Sequence, residues 1–273
     1  MNQEIAGYTL SRRLAGGSSA RLFVAHDAQQ ERYFVRTLEP GAPGRLRRQF
    51  FRGAEIIAAL QNPRPHPNLV PLVKAGVEGK TPYMVFPYVD SRTLRDLLYT
   101  RDPVLAENPL VFIRQLANVL QYIHARGYIH LDVKPENILI EPEGILRLVD
   151  FDLALPIRRF FKRLRDLSTS PAYLPPETQQ KRVGDERTDI YAFGVCCYEM
   201  LTFHRPFEGA KIEQVLAAQL DPKIPPTPIR QWNESIPPAL AALVMKCIAK
   251  DPDARYPDMV LVQRDLDRLN SPS

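Results

Sequence analysis

The chain reads as an α+β protein in two parts: a small antiparallel β part carrying one helix, then a larger, mainly helical part. Three observations carry that reading. From Tyr8 to Phe86 short runs alternate apolar and polar residues at period two, interrupted once by a helical pattern. Beyond Tyr88 apolar residues recur instead every three or four positions. At 273 residues the chain exceeds one average domain, yet it is too short for two large domains and a linker.

In order, Tyr8 to Val24 alternates around a Gly16-Gly17-Ser18-Ser19 break, which predicts two strands joined by a tight turn. Tyr33 to Leu38 is a third strand. Arg45 to Leu60 places Phe50, Ile57 and Leu60 at helical spacing and predicts one helix. Leu69 to Ala75 and Tyr83 to Phe86 complete five strands. In the second part, Leu110 to His124 sets Ile113, Leu116, Leu120 and Ile123 on one stripe, the face of a core helix. Short strands follow at Ile138 to Ile140 and Leu146 to Val149. Asp152 to Pro176 is irregular, and Thr188 to Thr202 and Pro238 to Lys250 are strongly apolar helices. Prolines cluster at element ends, where they stop helices and stiffen loops (Pro63, Pro65, Pro67; Pro225, Pro226, Pro228).

Composition narrows the function classes. A hydrophobic share of 45% with 25% charged residues is that of a soluble globular chain. The net charge of +5 is spread without a long single-sign block, so no nucleic-acid partner is implied. Cys196, Cys197 and Cys247 lie in apolar helical patterns without metal-type spacing, which reads as buried thiols in a reducing compartment. No apolar run approaches the roughly 18 residues of a membrane segment, and the N-terminus lacks a signal-peptide pattern. The expectation is a cytoplasmic chain, complete as one catalytic-type unit.

The chemistry concentrates in His130-Leu131-Asp132-Val133-Lys134-Pro135-Glu136-Asn137, followed thirteen residues after Asn137 by Asp150-Phe151-Asp152. Phosphoryl transfer needs this set: a carboxylate to orient a hydroxyl, a cation for the moving phosphate, and oxygen ligands for Mg²⁺. In spacing, the run resembles the catalytic loop H-R-D-x-x-x-x-N and the metal turn D-F-G of the protein-kinase superfamily. Further motifs occur in the family's order. Ser170-Pro171-Ala172-Tyr173-Leu174-Pro175-Pro176-Glu177 is similar to the segment that closes the activation region. Asp251-Pro252-Asp253-Ala254-Arg255 supplies an arginine to pair with Glu177, and Asp189-Ile190-Tyr191-Ala192-Phe193-Gly194 resembles the helix that anchors the catalytic loop.

The resemblance implies a protein-kinase-like two-lobe fold in one domain over residues 1–273, with a small lobe at 8–87 and a large lobe at 88–269. It implies ATP and Mg²⁺ as cofactors and a protein substrate or partner. Asp132 would be the catalytic base, Lys134 the cation on the migrating phosphate, and Asn137 and Asp150 the metal ligands. Lys134 at that position resembles serine/threonine kinases more than tyrosine kinases. Leu14, Leu22 and Leu139 would sandwich the adenine, and Pro87 and Val89 would offer a carbonyl and an amide to its edge, behind Phe86.

The nucleotide side departs from the family pattern. In the glycine loop, Ala15-Gly16-Gly17-Ser18-Ser19-Ala20, only Gly17 falls on a required glycine. Arg36 stands for the phosphate-gripping lysine, a planar fork in place of a compact ammonium. Phe34 stands for the alanine against adenine. It points the same way as Arg36 by strand alternation and would crowd the base. The helix glutamate that pairs with the lysine aligns with Gly53. Glu55 lies two residues on, about 200° around the helix. Arg36 is expected to turn to Asp150 instead. Some family members supply the lysine from the neighbouring strand, where this chain has Ala20. Leu131 replaces the arginine that binds an activation-loop phosphate, and Asp152 replaces the glycine of D-F-G. Asp152 is expected to be solvated or to support the metal from its second shell.

Arg158-Arg159-Phe160-Phe161-Lys162-Arg163-Leu164-Arg165 reads as a solvated basic loop or as a dock for an acidic or phosphorylated partner. Ser168, Thr169 and Ser170 are candidate phosphosites. Three functions remain open: a serine/threonine kinase with an atypical nucleotide grip, a pseudokinase scaffold or allosteric regulator, and a small-molecule phosphotransferase. The activation-segment and anchoring-helix motifs count against the last.

Overall fold

A computed structural model describes residues 3–14, 20–157, 170–269 and the backbone of 162–163. The chain forms two compact units. The first comprises residues 1–90 with 149–154, and the second 91–148 with 155–273. The Asp150 turn thus belongs with the first unit, although most of its sequence neighbours belong to the second.

In the first unit, β1 (Glu4–Ile5), β2 (Tyr8–Leu14), β3 (Ala20–His26), β4 (Arg32–Leu38), β5 (Lys74–Glu78) and β6 (Thr81–Pro87) form one sheet of order β1-β2-β3-β4-β6-β5, and α1 spans Gly44–Leu60. Neighbouring strands run antiparallel. Period-two alternation gives β4 two distinct faces. Val35 packs with Ile5, Leu10, Ala25, Tyr83 and Val85 on one side. Leu38 packs with Met84 and with Phe50 and Ala54 of α1 on the other. Phe50 is fully buried, which contributes about 1.5–3 kcal/mol.

Two expectations change here. The sheet gains a sixth strand, β1, whose Glu4 and Ile5 pair with Thr9 and Tyr8 across a tight reversal. The strand expected over Leu69 to Ala75 begins only at Lys74. Pro71 has no N–H to give a ladder, and the Gln61 side chain takes both backbone groups of Leu72, accepting from its N–H at 2.8 Å and donating to its carbonyl at 3.1 Å.

The second unit is mainly helical. It begins with β7 (Arg92–Thr93), α2 (Leu94–Tyr99), α3 (Pro103–Glu107), α4 (Pro109–Ala125), β8 (Tyr128–Ile129), β9 (Ile138–Ile140) and β10 (Leu146–Leu148). It continues with β11 (Leu155–Pro156), β12 (Lys162–Arg163), α5 (Pro176–Lys181), β13 (Val183–Gly184), α6 (Glu186–Thr202), α7 (Ile212–Leu220), α8 (Ile229–Trp232), α9 (Pro238–Cys247) and α10 (Met259–Arg268). Helix α6 is buried continuously from Thr188 to Thr202, as expected of a helix apolar all round. Its start is set by a reciprocal cap between Asp185 and Thr188, and Phe203 ends it in the left-handed region at φ 58°. Helix α4 begins at Pro109, which needs no amide partner there, and buries Phe112, Ile113, Leu116, Leu120 and Ile123. Among the described residues no helix is long and apolar enough to cross a membrane.

Candidate active site

The loop between β8 and β9 hangs from one carboxylate. Asp189, fully buried on α6, accepts the backbone N–H groups of His130 and Leu131 at 2.8 Å each, and His124 Nε2 lies 2.9 Å from its Oδ2. Burial alone would raise its pKa. The hydrogen bonds from His124 and from the His130 backbone outweigh that and hold it below the usual carboxylate range. Leu131 is consequently pinned at φ 63° with its side chain only 5% exposed.

Asp132 follows, buried, with its N–H on His130 Nδ1 at 3.2 Å. Lys134 Nζ meets both carboxylate oxygens of Asp132 at 2.9 Å. A 3₁₀ turn over Pro135–Asn137 brings the Asn137 amide back onto the same group, with Nδ2 at 2.8 Å from Asp132 Oδ2 and 2.9 Å from its backbone carbonyl. Both of those partners can only accept, so the amide nitrogen must face them and Oδ1 faces away. Acid, ammonium and amide oxygen are thus gathered on eight residues. Leu139 lies half-buried in β9, paired with Arg147 and Thr93.

The closing motif of the activation segment is tied to this loop through Glu136. Arg95 on α2 pairs with Glu136 at 2.9 Å and Glu199 at 3.3 Å, and also donates to the Tyr173 hydroxyl. Tyr173 donates in turn to Glu199 Oε2 at 2.5 Å. Burial, then the Glu199 charge, pushes its phenol well above the ordinary value. Arg255, wholly buried, forks onto Glu177 at 2.7 and 2.9 Å, the pair expected from the motifs.

In the first unit, Leu14 pairs with Leu22 across β2 and β3, and Leu22 lies opposite Arg36. Phe34 pairs with Val24 and Phe86, and its ring stacks at a tilt on Tyr88, centroids 4.9 Å apart. Pro87 ends β6 opposite Tyr33, and Val89 follows, half-buried. Gly17, the basic side chains of 158–165, Ser168 and Thr169 lie outside the described residues.

Arg36 corrects two expectations. Its principal partner is Asp152, not Asp150: Nη1 and Nη2 donate to the two Asp152 oxygens at 2.8 and 2.7 Å, and Nη2 lies 3.4 Å from Asp150 Oδ1. Asp152 is therefore an ion-pair partner rather than a solvated acid. Burial and the Asp150 charge raise its pKa, while Arg36 opposes them. The Asp150 turn is fixed further by Arg52 of α1, which donates to the carbonyls of Asp152 and Ala154 at 2.7 and 2.9 Å. One residue on, a Cβ at Gly53 would stand 3.1 Å from the Phe151 carbonyl and 3.2 Å from Asp152 Oδ1. Glu55 is exposed. Sequence reasoning missed Arg52 and the role of Asp152. The usable signal was that one acid appears in the metal turn while another disappears from the helix.

These features place the chain in a family: it belongs to the protein kinase domain family, whose match covers residues 8–265. The chain is 27% identical over 281 residues to serine/threonine-protein kinase PrkC of Bacillus subtilis (strain 168), covering 99% of this chain and 42% of that one. It is 32% identical over 229 residues to serine/threonine-protein kinase PknB of Mycolicibacterium smegmatis, covering 81% of this chain and 36% of the relative. Against serine/threonine-protein kinase PknL of Mycobacterium tuberculosis it is 29% identical over 266 residues, 96% of this chain and 65% of the other. The chain thus spans less than two thirds of each of these relatives.

Proposed function

We propose that this chain is a serine/threonine protein kinase that transfers the γ-phosphoryl group of ATP to a protein hydroxyl with an atypical grip on the nucleotide. The observation that carries this is the Asp132 carboxylate held between Lys134 Nζ and Asn137 Nδ2 at 2.8–2.9 Å, on backbone fixed by Asp189. Asp132 accepts the proton of the substrate hydroxyl and aims its oxygen. Lys134 neutralises charge on the migrating group. The donor set suits Mg²⁺, which takes oxygen ligands and keeps few from protein: the outward Oδ1 of Asn137 and the Asp150 carboxylate would hold it. When bound, the metal supplies charge neutralisation at the phosphate oxygens. Leu14, Leu22, Leu139 and Phe34 are the proposed contacts of the base, Pro87 and Val89 its polar partners, and Gly17 and Arg36 the phosphate contacts. Three buried free thiols support a cytoplasmic setting.

A second reading, a pseudokinase that acts as a scaffold or allosteric regulator, is favoured by the Arg36 fork on Asp152, since a satisfied guanidinium has less to offer a phosphate. One experiment separates the two. Mg²⁺-ATP is expected to raise the melting temperature, and Asp132→Ala to abolish phosphate incorporation into a protein acceptor while keeping the fold. No nucleotide-dependent melting shift, with or without Mg²⁺, would refute the kinase and leave the scaffold.

A further inference from the structure

Helix α6 stops at Phe203 in the left-handed region, and the chain turns so that Arg205 reaches back to Glu199 on the same helix. Arg205 Nε donates to Glu199 Oε1 at 3.2 Å, and its guanidinium lies 5.8 Å from the centre of the Tyr173 ring. Arg95 donates to the same oxygen at 3.3 Å and stands 5.9 Å from the same ring. Two cations thus share one buried carboxylate.

The two arginines are not equivalent. Each nitrogen of Arg95 has a partner: Nε has Glu136, Nη1 has Glu199 and Nη2 has the Tyr173 hydroxyl. Arg205 uses Nε alone. Among the described residues its Nη1 and Nη2 meet no acceptor, and its side chain is 38% exposed. It lines an open cleft of about 680 Å³ in the second unit, together with His204, Glu208 and the buried, apolar Phe207 and Val215. Two acids face that cleft. Glu199 is closed to an incoming cation, because its side chain is only 6% exposed and three donors already hold it, two guanidiniums on Oε1 and the Tyr173 phenol on Oε2. Glu208 is turned to His204, with Oε1 at 2.8 Å from Nδ1. The unanswered groups in the cleft are therefore the donors of Arg205.

The cleft adjoins the chemistry. Tyr173 and Asp132 line one small void, and Arg95 binds Glu136, which sits between Lys134 and Asn137 on the catalytic loop. We propose that Arg205 determines substrate specificity by receiving an aspartate or glutamate side chain of the protein substrate whose hydroxyl is presented to Asp132. A carboxylate matches a pair of Nη donors in plane and in charge. Arg95 excludes a basic side chain from the same place by closing Glu136 and Glu199. The hydroxyl at Asp132 rests on the kinase reading; the capture of an acidic segment by the cleft does not.

Two measurements on the full chain test this. Alanine-rich peptides with a central threonine carry a glutamate, an arginine or neither at each scanned position, and are phosphorylated with Mg²⁺-ATP. At one position glutamate is expected to raise kcat/KM roughly five- to tenfold over alanine, and arginine to lower it. Arg205→Ala is expected to level glutamate with alanine while the alanine peptide reacts as before. Arg205→Glu is expected to turn the preference to arginine, whereas damage to the fold would slow every peptide alike. Equal rates at every position in the parent, a parental preference for arginine, or a glutamate preference that survives in Arg205→Ala overturns the assignment. The second measurement needs no nucleotide: fluorescence anisotropy of a labelled peptide with glutamates on both sides of the threonine, and of its alanine counterpart. The parent is expected to bind the glutamate peptide more tightly and Arg205→Glu to lose that difference. Should no peptide take phosphate, this binding decides the cleft, and equal binding of the two peptides overturns it. The kinase reading is judged separately by the Mg²⁺-ATP melting shift.

Discussion

Replacing Glu177 by alanine should be among the most damaging single changes in the second unit that touch none of the proposed catalytic side chains. Arg255 has no exposed side-chain surface, and Glu177 retains 16%. The guanidinium has five contacts: two to Glu177, and one each to the carbonyls of Ala249 at 2.7 Å, Lys250 at 3.1 Å and Arg187 at 3.2 Å. Removing the acid leaves those three carbonyls and the face of Tyr191, 4.8 Å from Cζ, to stabilise a full charge out of water. Breaking such a pair costs about 3–5 kcal/mol, and the residual exposure of Glu177 sets the value near the lower end. At roughly 2–4 °C per kcal/mol for a chain of this size, the loss is about 6–12 °C of melting temperature. Glu177→Gln keeps one acceptor and should lose less. Glu177→Leu combined with Arg255→Met removes both charges and should fall between the parent and Glu177→Ala. Urea unfolding followed by the fluorescence of Trp232, which lies in the same unit, reads all four proteins. A Glu177→Ala variant within about 1 kcal/mol of the parent, or a double variant less stable than it, would refute the argument that an isolated buried charge is the source.

The Asp189 anchor should show in the pH dependence of stability. Its folded pKa lies below its unfolded one, so its contribution is complete above the unfolded value, about 3.9, and is lost as pH falls through the folded value. The gap in unfolding free energy between parent and Asp189→Asn is expected to be about 1.5–3 kcal/mol at neutral pH and to narrow only below about pH 4. A gap that closes between pH 5 and 8 would contradict this. Gly194→Ala should destabilise by about 1–3 kcal/mol through overpacking, because its Cβ would lie 2.7 Å from Cys247 Cβ and Ile248 Cγ2; an unchanged urea midpoint would contradict that packing.

The legible parts of this protein are the local ones. Eight consecutive residues carry the acid, the lysine and the amide, so spacing alone brought Asp132, Lys134 and Asn137 together. The long helices announced themselves through apolar period, α6 most plainly because every position from Thr188 to Thr202 is buried. What the sequence concealed lies between distant residues. The Gln61 amide that displaces a strand at Leu72 reaches across eleven positions, and the Arg36 fork spans 116. No periodicity encodes either. The second was hidden further because Arg36, Gly53 and Asp152 each resemble decay when compared singly with the family pattern, whereas their charges and volumes balance once placed side by side.

Leu131 has a bearing on how this chain could be switched. Its backbone is held at φ 63° by Asp189, and its aliphatic side chain is closed to water. Restoring the phosphate-reading arginine of related kinases by one codon would begin from a left-handed residue in an apolar setting, so a usable sensor would require remodelling the surroundings as well. At position 131 the loop therefore offers a phosphate no charge, and its shape there is set from within by Asp189.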